Sequence, residues 1–404
     1  MDRKEVYSKC LEALEKSSFL LLEACTGYGK TKNSIDLVNY LRDTKLKEKK
    51  GVSMLLLVAK RVHKQTWKDE FKKWGGIKVD NLTIECYESL KKHEYESFDF
   101  VVMDEVHHLN SDKRLELFDT LTYSYVIGLS ATIPKKLKQY FQYEYHSETV
   151  VCNITEAISS NILPDPEIVL FPIELDRINP TETIEVNPKA KGKTYYGKYE
   201  ELWKYRKMKV HAFISCTERQ KVNEYNAQIL REKNLYTRNR QEFFKNRWLH
   251  DCGERLKYLA ILKNDFVKAI LSKLDKERTI TFCKTIEQAD ELGKYSIHSK
   301  NPDSDKVYDD FNKKKINHIT SVNVLNEGAN LVDCKYAVFA NYSGSELIGV
   351  QRIGRSMRHK SPVIILPYYK ATREEEIVNT MIEDFKKDSI HSIYSLEELD
   401  KFIQ

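Results

Sequence analysis

Residues 19–31, FLLLEACTGYGKT, constrain the fold of this chain more than any other stretch. Phe19 to Leu22 is an apolar run of the kind a buried parallel strand requires. After it Gly27, Gly29, Lys30 and Thr31 break into a loop before a helical pattern resumes. Ile35, Val38 and Leu41 then share one helical face. Strand, glycine loop and helix in this order make a phosphate cradle. Glycines let backbone N–H groups approach phosphate oxygens, the helix aims its positive end at them, Lys30 supplies a point charge and Thr31 offers a hydroxyl to Mg²⁺. Ala24 stands where the strict G-x-x-x-x-G-K-[ST] pattern has its first glycine. A glycine-containing turn after a strand is the plainer alternative, and the strand–loop–helix context speaks against it.

A cradle of this type needs a sheet around it. Val52 to Val58, Leu82 to Cys86, Phe98 to Met103 and Tyr125 to Leu129 read as further strands of that sheet. The run Phe98 to Met103 delivers Asp104 and Glu105 to the edge where the phosphate loop sits, with Val106, His107 and His108 behind them. An Asp placed there can hold Mg²⁺, and an adjacent Glu can polarise an attacking water; two solvated acids ending a strand are the alternative. Tyr125 to Leu129 ends in Ser130-Ala131-Thr132, whose hydroxyls could hydrogen-bond the acidic loop and report its state. Val62, Trp67, Phe71 and Trp74 suit a helix packed on the sheet. Lys60, Arg61 and Lys64 lie at or near a strand's carboxyl end, where ligands bind in open α/β sheets, or are ordinary surface charge.

The α/β rhythm then breaks. Pro164 to Leu175 reads as a linker with an extended strand, and residues from about 180 to 250 mix lysines and arginines with Tyr195, Tyr196, Tyr199, Trp203 and Tyr205. Cations among stacking aromatics suit a single-strand nucleic-acid path; a charged helical insertion with its own small core is the competing reading. The rhythm returns at Arg255. A helix over Leu259 to Leu274 precedes the strand Thr279 to Cys283, a helix over Ile286 to Leu292, a strand running into Asn326-Glu327-Gly328-Ala329-Asn330, and another at Ala337 to Ala340. In QRIGRSMR, residues 351–358, Arg355 and Arg358 fall on one helical face and can clamp a single phosphate.

Length and composition set the remaining bounds. A chain of 404 residues has room for two or three domains, and a net charge of +6 is mild enough that only its local distribution could argue for a polyanionic partner. The eight cysteines are scattered with no C-x-x-C, so reduced thiols are expected rather than zinc sites or disulfides. The amino terminus reads as an amphipathic helix with Val6, Cys10, Leu11 and Leu14 on one side. With no apolar run long enough to span a bilayer, a soluble cytoplasmic protein with no membrane partner is expected.

In this order and spacing, ACTGYGKT, DEVHH, SAT and QRIGRSMR resemble motifs I, II, III and VI of the superfamily 2 helicases, and LLVAKR, TITFC and NVLNEGANL are similar to motifs Ia, IV and V. The resemblance is closest to the DExH-type DNA helicases grouped with type III restriction motor subunits, eukaryotic transcription-repair helicases and phage recombination helicases. It implies an α/β fold of two tandem RecA-like parallel-sheet lobes, residues 1–155 and 255–404, joined through a linker strand and a mostly helical basic insertion at 156–254, with ATP and Mg²⁺ between the lobes. It further implies that Thr26, Gly27, Tyr28, Gly29, Lys30, Thr31 and Asp104 bind ATP, that Thr31 and Asp104 hold the metal, and that Glu105 activates water. Gln351, Arg355 and Arg358 would act from the opposite lobe, with Arg358 as the arginine finger. His107, Ser130 and Thr132 would couple the sites, and Lys60, Arg61, Asn326, Glu327 and Gly328 would contact nucleic acid. Two departures stand out: Asn330 occupies a position where many relatives have an acid, and no Gln-containing adenine motif precedes Phe19. The implied function is an ATP-dependent helicase or translocase, DNA favoured over RNA, in replication, recombination or repair, as a monomer or within a larger assembly. An RNA helicase and a non-hydrolytic nucleotide-gated clamp are the alternatives. Abundant Lys and Tyr with few Gly fit an AT-rich genome such as a phage's.

Overall fold

The computed structural model describes residues 2–186, 212–322, 331–343 and 359–403. The apolar run becomes β1 (Phe19–Ala24), lying between β5 (Thr122–Ser130) and β6 (Glu148–Cys152) and parallel to both. With β2 (Ser53–Val58), β3 (Asn81–Cys86) and β4 (Ser97–Asp104) it forms a six-stranded parallel sheet in the order β3-β2-β4-β5-β1-β6. Along β1 the side chains alternate between two cores. Leu20, Leu22 and Ala24 pack with Val6, Cys10 and Leu14 of α1 (Arg3–Lys16) and with Ile35, Val38 and Leu41 of α2 (Lys30–Thr44). Phe19 and Leu21 face the other way, toward Phe118 of α4 (Asp112–Asp119) and Phe141 of α5 (Lys135–Tyr145). A strand covered on both faces has no polar face to show, which is why it reads as an unbroken apolar run.

One glycine in β5 is dictated by this packing. A Cβ on Gly128 would stand 2.8 Å from Leu21 Cδ2 and 3.3 Å from Val106 Cγ2, both in the sealed core. Gly128→Ala is therefore expected to lower the unfolding free energy by about 1–3 kcal/mol, the usual cost of overpacking; an unchanged urea midpoint would show that the core can give way.

After α6 (Ile154–Ser159) the chain enters a second parallel sheet of seven strands, ordered β11-β12-β10-β13-β14-β7-β15. These are β7 (Glu167–Ile173), β10 (Thr279–Phe282), β11 (Ser296–Ile297), β12 (His318–Ser321), β13 (Tyr336–Phe339), β14 (Val363–Tyr369) and β15 (Ile390–Ser392). The strand that the pattern alone assigned to a linker, β7, runs parallel to β14 from Glu167 opposite Val363 to Ile173 opposite Tyr369. Its alternation gives the reason. Ile168 and Leu170 enter one core and Val169 and Phe171 the other, and only an interior strand offers cover on both sides.

In chain order between β7 and β10 of this second sheet, β8 (Glu182–Val186) pairs antiparallel with β9 (Ala212–Cys216), and two long helices follow, α7 (Glu218–Asn239) and α8 (Glu242–Leu262). The intervening stretch is thus not wholly helical. The basic and aromatic residues around Tyr195 to Tyr205 lie outside the described residues. The single helix expected over 259–274 is divided at Lys263, and α9 (Asn264–Lys273) starts anew. Lys263 Nζ lies 2.5 Å from Glu374 Oε1, both side chains fully buried, and Tyr369 N donates to Glu374 Oε2 at 3.1 Å. Such a pair must be held together because either charge left alone in the core would be costly. Around the second sheet lie α10 (Ile286–Leu292), α11 (Ser304–Asn312) and α12 (Arg373–Ile382).

The architecture is two parallel-sheet α/β lobes in tandem, as the resemblance implies. All eight cysteines are free thiols, seven of them buried and Cys252 half-buried. Among the described residues no helix is long and apolar enough to cross a membrane.

Candidate active site

Because the strands of the first sheet all run the same way, the segments that follow β1, β2, β4 and β5 emerge at one edge. The phosphate loop comes first. Gly27 and Gly29 have φ of 95° and 103°, in the region that L side chains rarely adopt, and a Cβ on Gly29 would meet nothing within 4 Å. The glycine is thus required by backbone conformation, and the space beside it is open to a close approach. Gly29, the N-cap of α2, offers no side-chain acceptor, so the N–H groups of the first turn are left for another partner such as an anion. Lys30 Nζ donates to Ala24 O at 2.8 Å and sits 3.5 Å from Cys25 O. Ala24 is still within β1, paired with Cys152 of β6, at a position that does not call for positive φ; this explains why alanine serves where the strict pattern has glycine. Tyr28 is buried and its hydroxyl accepts from Asn33 Nδ2 at 3.1 Å, locking the loop to α2.

Two strands away, β4 ends in Asp104. Trp67 Nε1, on α3 (Arg61–Lys73), donates to Asp104 Oδ2 at 2.8 Å, and Tyr87 Oη donates to Asp104 O at 2.9 Å. Burial, and then the neighbouring Glu105 charge, push the Asp104 carboxyl from its ordinary 3.8 up to about 6, against the pull of the Trp67 hydrogen bond and the Lys30 charge. The sign follows directly. A carboxylate whose folded-state pKa exceeds its unfolded value subtracts stability above that pKa and costs nothing below the unfolded one. Asp104→Asn is accordingly expected to raise the unfolding free energy at neutral pH by about 1–3 kcal/mol and to change it little below about pH 4. Urea melts at both pH values check this, and equal effects at both would refute it.

Glu105 has φ of 55°, a left-handed conformation for a residue with a Cβ, which costs of the order of 1 kcal/mol. The strain is held by the Tyr87 bond on one side and by His108 N donating to Glu105 O at 3.0 Å on the other. It turns the Glu105 side chain toward the end of β5. There Ser130 Oγ donates to Thr132 O at 2.8 Å, and lies 3.0 Å from His107 Nδ1 and 3.4 Å from Glu105 Oε2. A serine hydroxyl has one hydrogen, for which Thr132 O and Glu105 Oε2 compete, and its oxygen can accept from His107 Nδ1. Glu105 Oε2 is also 3.4 Å from that nitrogen. The carboxylate, imidazole and hydroxyl thus form one connected group.

Lys60, the N-cap of α3, and Arg61, its first residue, lie at the same edge, both exposed. Asn326, Glu327, Gly328, Gln351, Arg355 and Arg358 lie outside the described residues.

Three contributors escaped the motif reading. Trp67 looked like a packing residue and is one, yet a buried indole N–H needs an acceptor, and that need was the one available signal. Tyr87 gave none. Trp74, expected to pack on the sheet, is 39% exposed and lines a cavity of about 630 Å³ beside Gly29 with Arg3, Tyr7, Lys32 and Asp36. Lys32 lies 5.2 Å from its ring centroid and pairs with Asp36. One turn beyond the apolar stripe of α3, Trp74 sits where the helix ends, so the sheet does not cover it.

The donors available near the loop, the Thr31 hydroxyl and the Asp104 carboxylate, are hard oxygens of the kind Mg²⁺ takes alongside phosphate oxygens and water. Among the described residues, no group of three or more His, Cys, Asp or Glu could hold a metal by itself.

Comparison with known proteins agrees with this layout. Residues 2–135 match the family model described as type III restriction enzyme, res subunit, and residues 262–360 match the helicase conserved C-terminal domain. Comparison with curated proteins returned no match. Among solved structures, a variant of S. cerevisiae Dbp5 bound to RNA and ADP BeF3 is similar at 12% identity and a TM-score of 0.58, over 99% of this chain and 92% of that one. The ATP-dependent Type ISP restriction-modification enzyme LlaBIII bound to DNA is similar at 14% identity and a TM-score of 0.55, over 100% of this chain but only 32% of that one. The Pyrococcus furiosus Hef helicase domain is similar at 15% identity and a TM-score of 0.50, over 93% and 96%. At such identities the structural likeness speaks for the fold alone. With both domain models matched in order, on two tandem parallel-sheet lobes, the chain belongs to the superfamily 2 helicases.

Proposed function

We propose that this chain is an ATP-driven motor that moves along DNA. The observation that carries the reading is the convergence, at one edge of one sheet, of the glycine loop with Lys30, the Asp104–Glu105 pair, and the Ser130–His107 group that touches Glu105. DNA is favoured because the domain model matching the first lobe is that of a restriction-enzyme subunit.

Each group has a defined task in this reading. Lys30 exchanges the carbonyls of Ala24 and Cys25 for phosphate oxygens, and the exposed N–H groups of the first turn of α2 hold the rest of the phosphate chain. Thr31 and Asp104 would hold Mg²⁺, which when bound neutralises charge on the phosphates. Glu105 takes a proton from the attacking water, and its contact with Ser130 and His107 transmits the change in its charge to the end of β5. The cavity lined by Tyr7, Asp36 and Trp74 seats the base in place of a Gln-containing motif. Gln351, Arg355 and Arg358, which lie outside the described residues, would act from the opposite lobe, with Arg358 as the finger.

The test is nucleotide turnover with a panel of single-stranded, forked and four-way DNA and matched RNA. Stimulation by DNA above RNA is expected. Equal or greater stimulation by RNA would move the substrate to the alternative class, and a rate indifferent to every nucleic acid would refute the motor.

A further inference from the structure

The two helices inserted between β7 and β10 of the second sheet form an arm whose tip is remote in sequence from every residue of the phosphate site. Its base is anchored: Val222 of α7 and Leu256, Leu259 and Ala260 of α8 are buried. From Leu259 to Glu242 the helix runs about 25 Å at 1.5 Å per residue, and residues 237–243 at the turn are all exposed. Stability therefore does not explain what the tip carries.

What it carries is charge. Residues 227–250 hold six cations, Arg231, Lys233, Arg238, Arg240, Lys245 and Arg247, against two acids, Glu232 and Glu242. Both acids are taken, Glu232 by Arg247 at 3.2 Å and Glu242 by Lys245 at 2.9 Å. Among the described residues no acid pairs with Arg231, Lys233, Arg238 or Arg240. Four positive charges concentrate at one projecting end of a chain whose whole excess is +6.

The aromatic residues show which ligand fits. Tyr236 and Trp248 stack on each other across the two helices, 6.2 Å apart and 28° from parallel. Arg240 lies over Tyr236 at 5.9 Å, Lys233 over Trp248 at 5.7 Å and Arg247 over Phe243 at 5.7 Å. Tyr236 and Trp248, half-buried and stacked on each other, do not present open faces to successive nucleobases, as a single-strand path would require; Phe243 is the exposed ring of the three. The rings instead brace cations, of which Arg240 and Lys233 have no acid partner among the described residues and keep their N–H groups for phosphate oxygens, while Arg247 is shared with Glu232. We propose that the tip of the α7–α8 arm is a second nucleic-acid contact, which grips the phosphate backbone of a duplex without reading its bases. Duplex is the occupant because it offers the densest row of phosphates, about one charge per 1.7 Å, to a convex cluster of cations. The proposal does not depend on whether the cleft hydrolyses nucleotide.

The experiment measures binding of the full chain, without nucleotide, to a labelled blunt duplex and to a single strand of equal length between about 50 and 200 mM salt. The variant carries Lys233→Gln, Arg238→Gln and Arg240→Gln. Its duplex affinity should fall about tenfold or more, with a plot of log affinity against log salt shallower by about 2 to 3, while the single strand changes by less than about twofold. A companion variant, Arg238→Lys with Arg240→Lys, should keep the wild-type salt slope and so separates lost charge from lost folding. Unchanged duplex binding in the Gln variant overturns the proposal. So does a parallel loss on the single strand, which would make the arm part of a strand path, or a loss of slope in the Lys variant.

Discussion

Glu105→Gln is expected to reduce nucleotide turnover by about 10²- to 10⁴-fold, the range spanned by loss of a general base, while nucleotide binding remains close to wild type. The amide is the same size as the carboxylate and can still contact Ser130 and His107, but it cannot take a proton from water. Nor should the fold suffer, since the strained φ of 55° is held by bonds from Tyr87 and His108 to the backbone and not by the carboxylate. Steady-state turnover and equilibrium binding of a labelled nucleotide, measured on one preparation, check both halves of the expectation. The variant should keep nucleotide-dependent changes in nucleic-acid affinity and lose their reversal. Turnover within about threefold of wild type would remove Glu105 from the chemistry, and intact function with no turnover in either protein would favour the non-hydrolytic clamp.

Lys30→Ala should fail at the earlier step. Hydrogen bonds to a charged group contribute about 1.5–3 kcal/mol each, so loss of the ammonium should weaken nucleotide binding by about 10- to 100-fold. Turnover at subsaturating nucleotide should fall at least as far. The structure adds a signature that a general loss of folding would not give. Lys30 is one of the groups that pull the Asp104 carboxyl down against burial and the Glu105 charge, so its removal lets the Asp104 pKa rise further. The stabilising effect of Asp104→Asn at neutral pH should therefore be larger in the Lys30→Ala background than in wild type. A double-mutant cycle by urea unfolding measures this coupling, and additive effects would mean that the two residues do not sense each other.

Much of the first lobe was legible because its signals are local. The β1 run, the glycine loop and the apolar face of α2 lie within residues 19–41, and each depends only on backbone conformation or on which faces are covered. The positions of Asp104 and Glu105 and of Ser130 followed from the rule that parallel strands end at one edge. By contrast, β14 and the membership of β7 in the second sheet were not legible: the two strands lie nearly two hundred residues apart and define each other only by pairing. The division of the helix at Lys263 was hidden for a related reason, because its partner Glu374 is 111 residues away. A lysine at that point otherwise looks like a solvated helical residue.

The sequence by itself determined the chemistry available: a phosphate loop, an acid pair, two arginines on one face, and strands buried enough to carry them. Those features are set by residue type and short-range periodicity, which act over a turn or a strand. Only the tertiary structure decided how the groups are tuned. It brought the Trp67 indole to Asp104 Oδ2, bent Glu105 toward Ser130 and His107, opened Trp74 to the cavity beside Gly29, and set the arm's cations on its ring faces. Each of these depends on which distant segments share a surface. Hydrogen bonds and ring contacts form at a few ångströms, a distance that chain order alone does not specify.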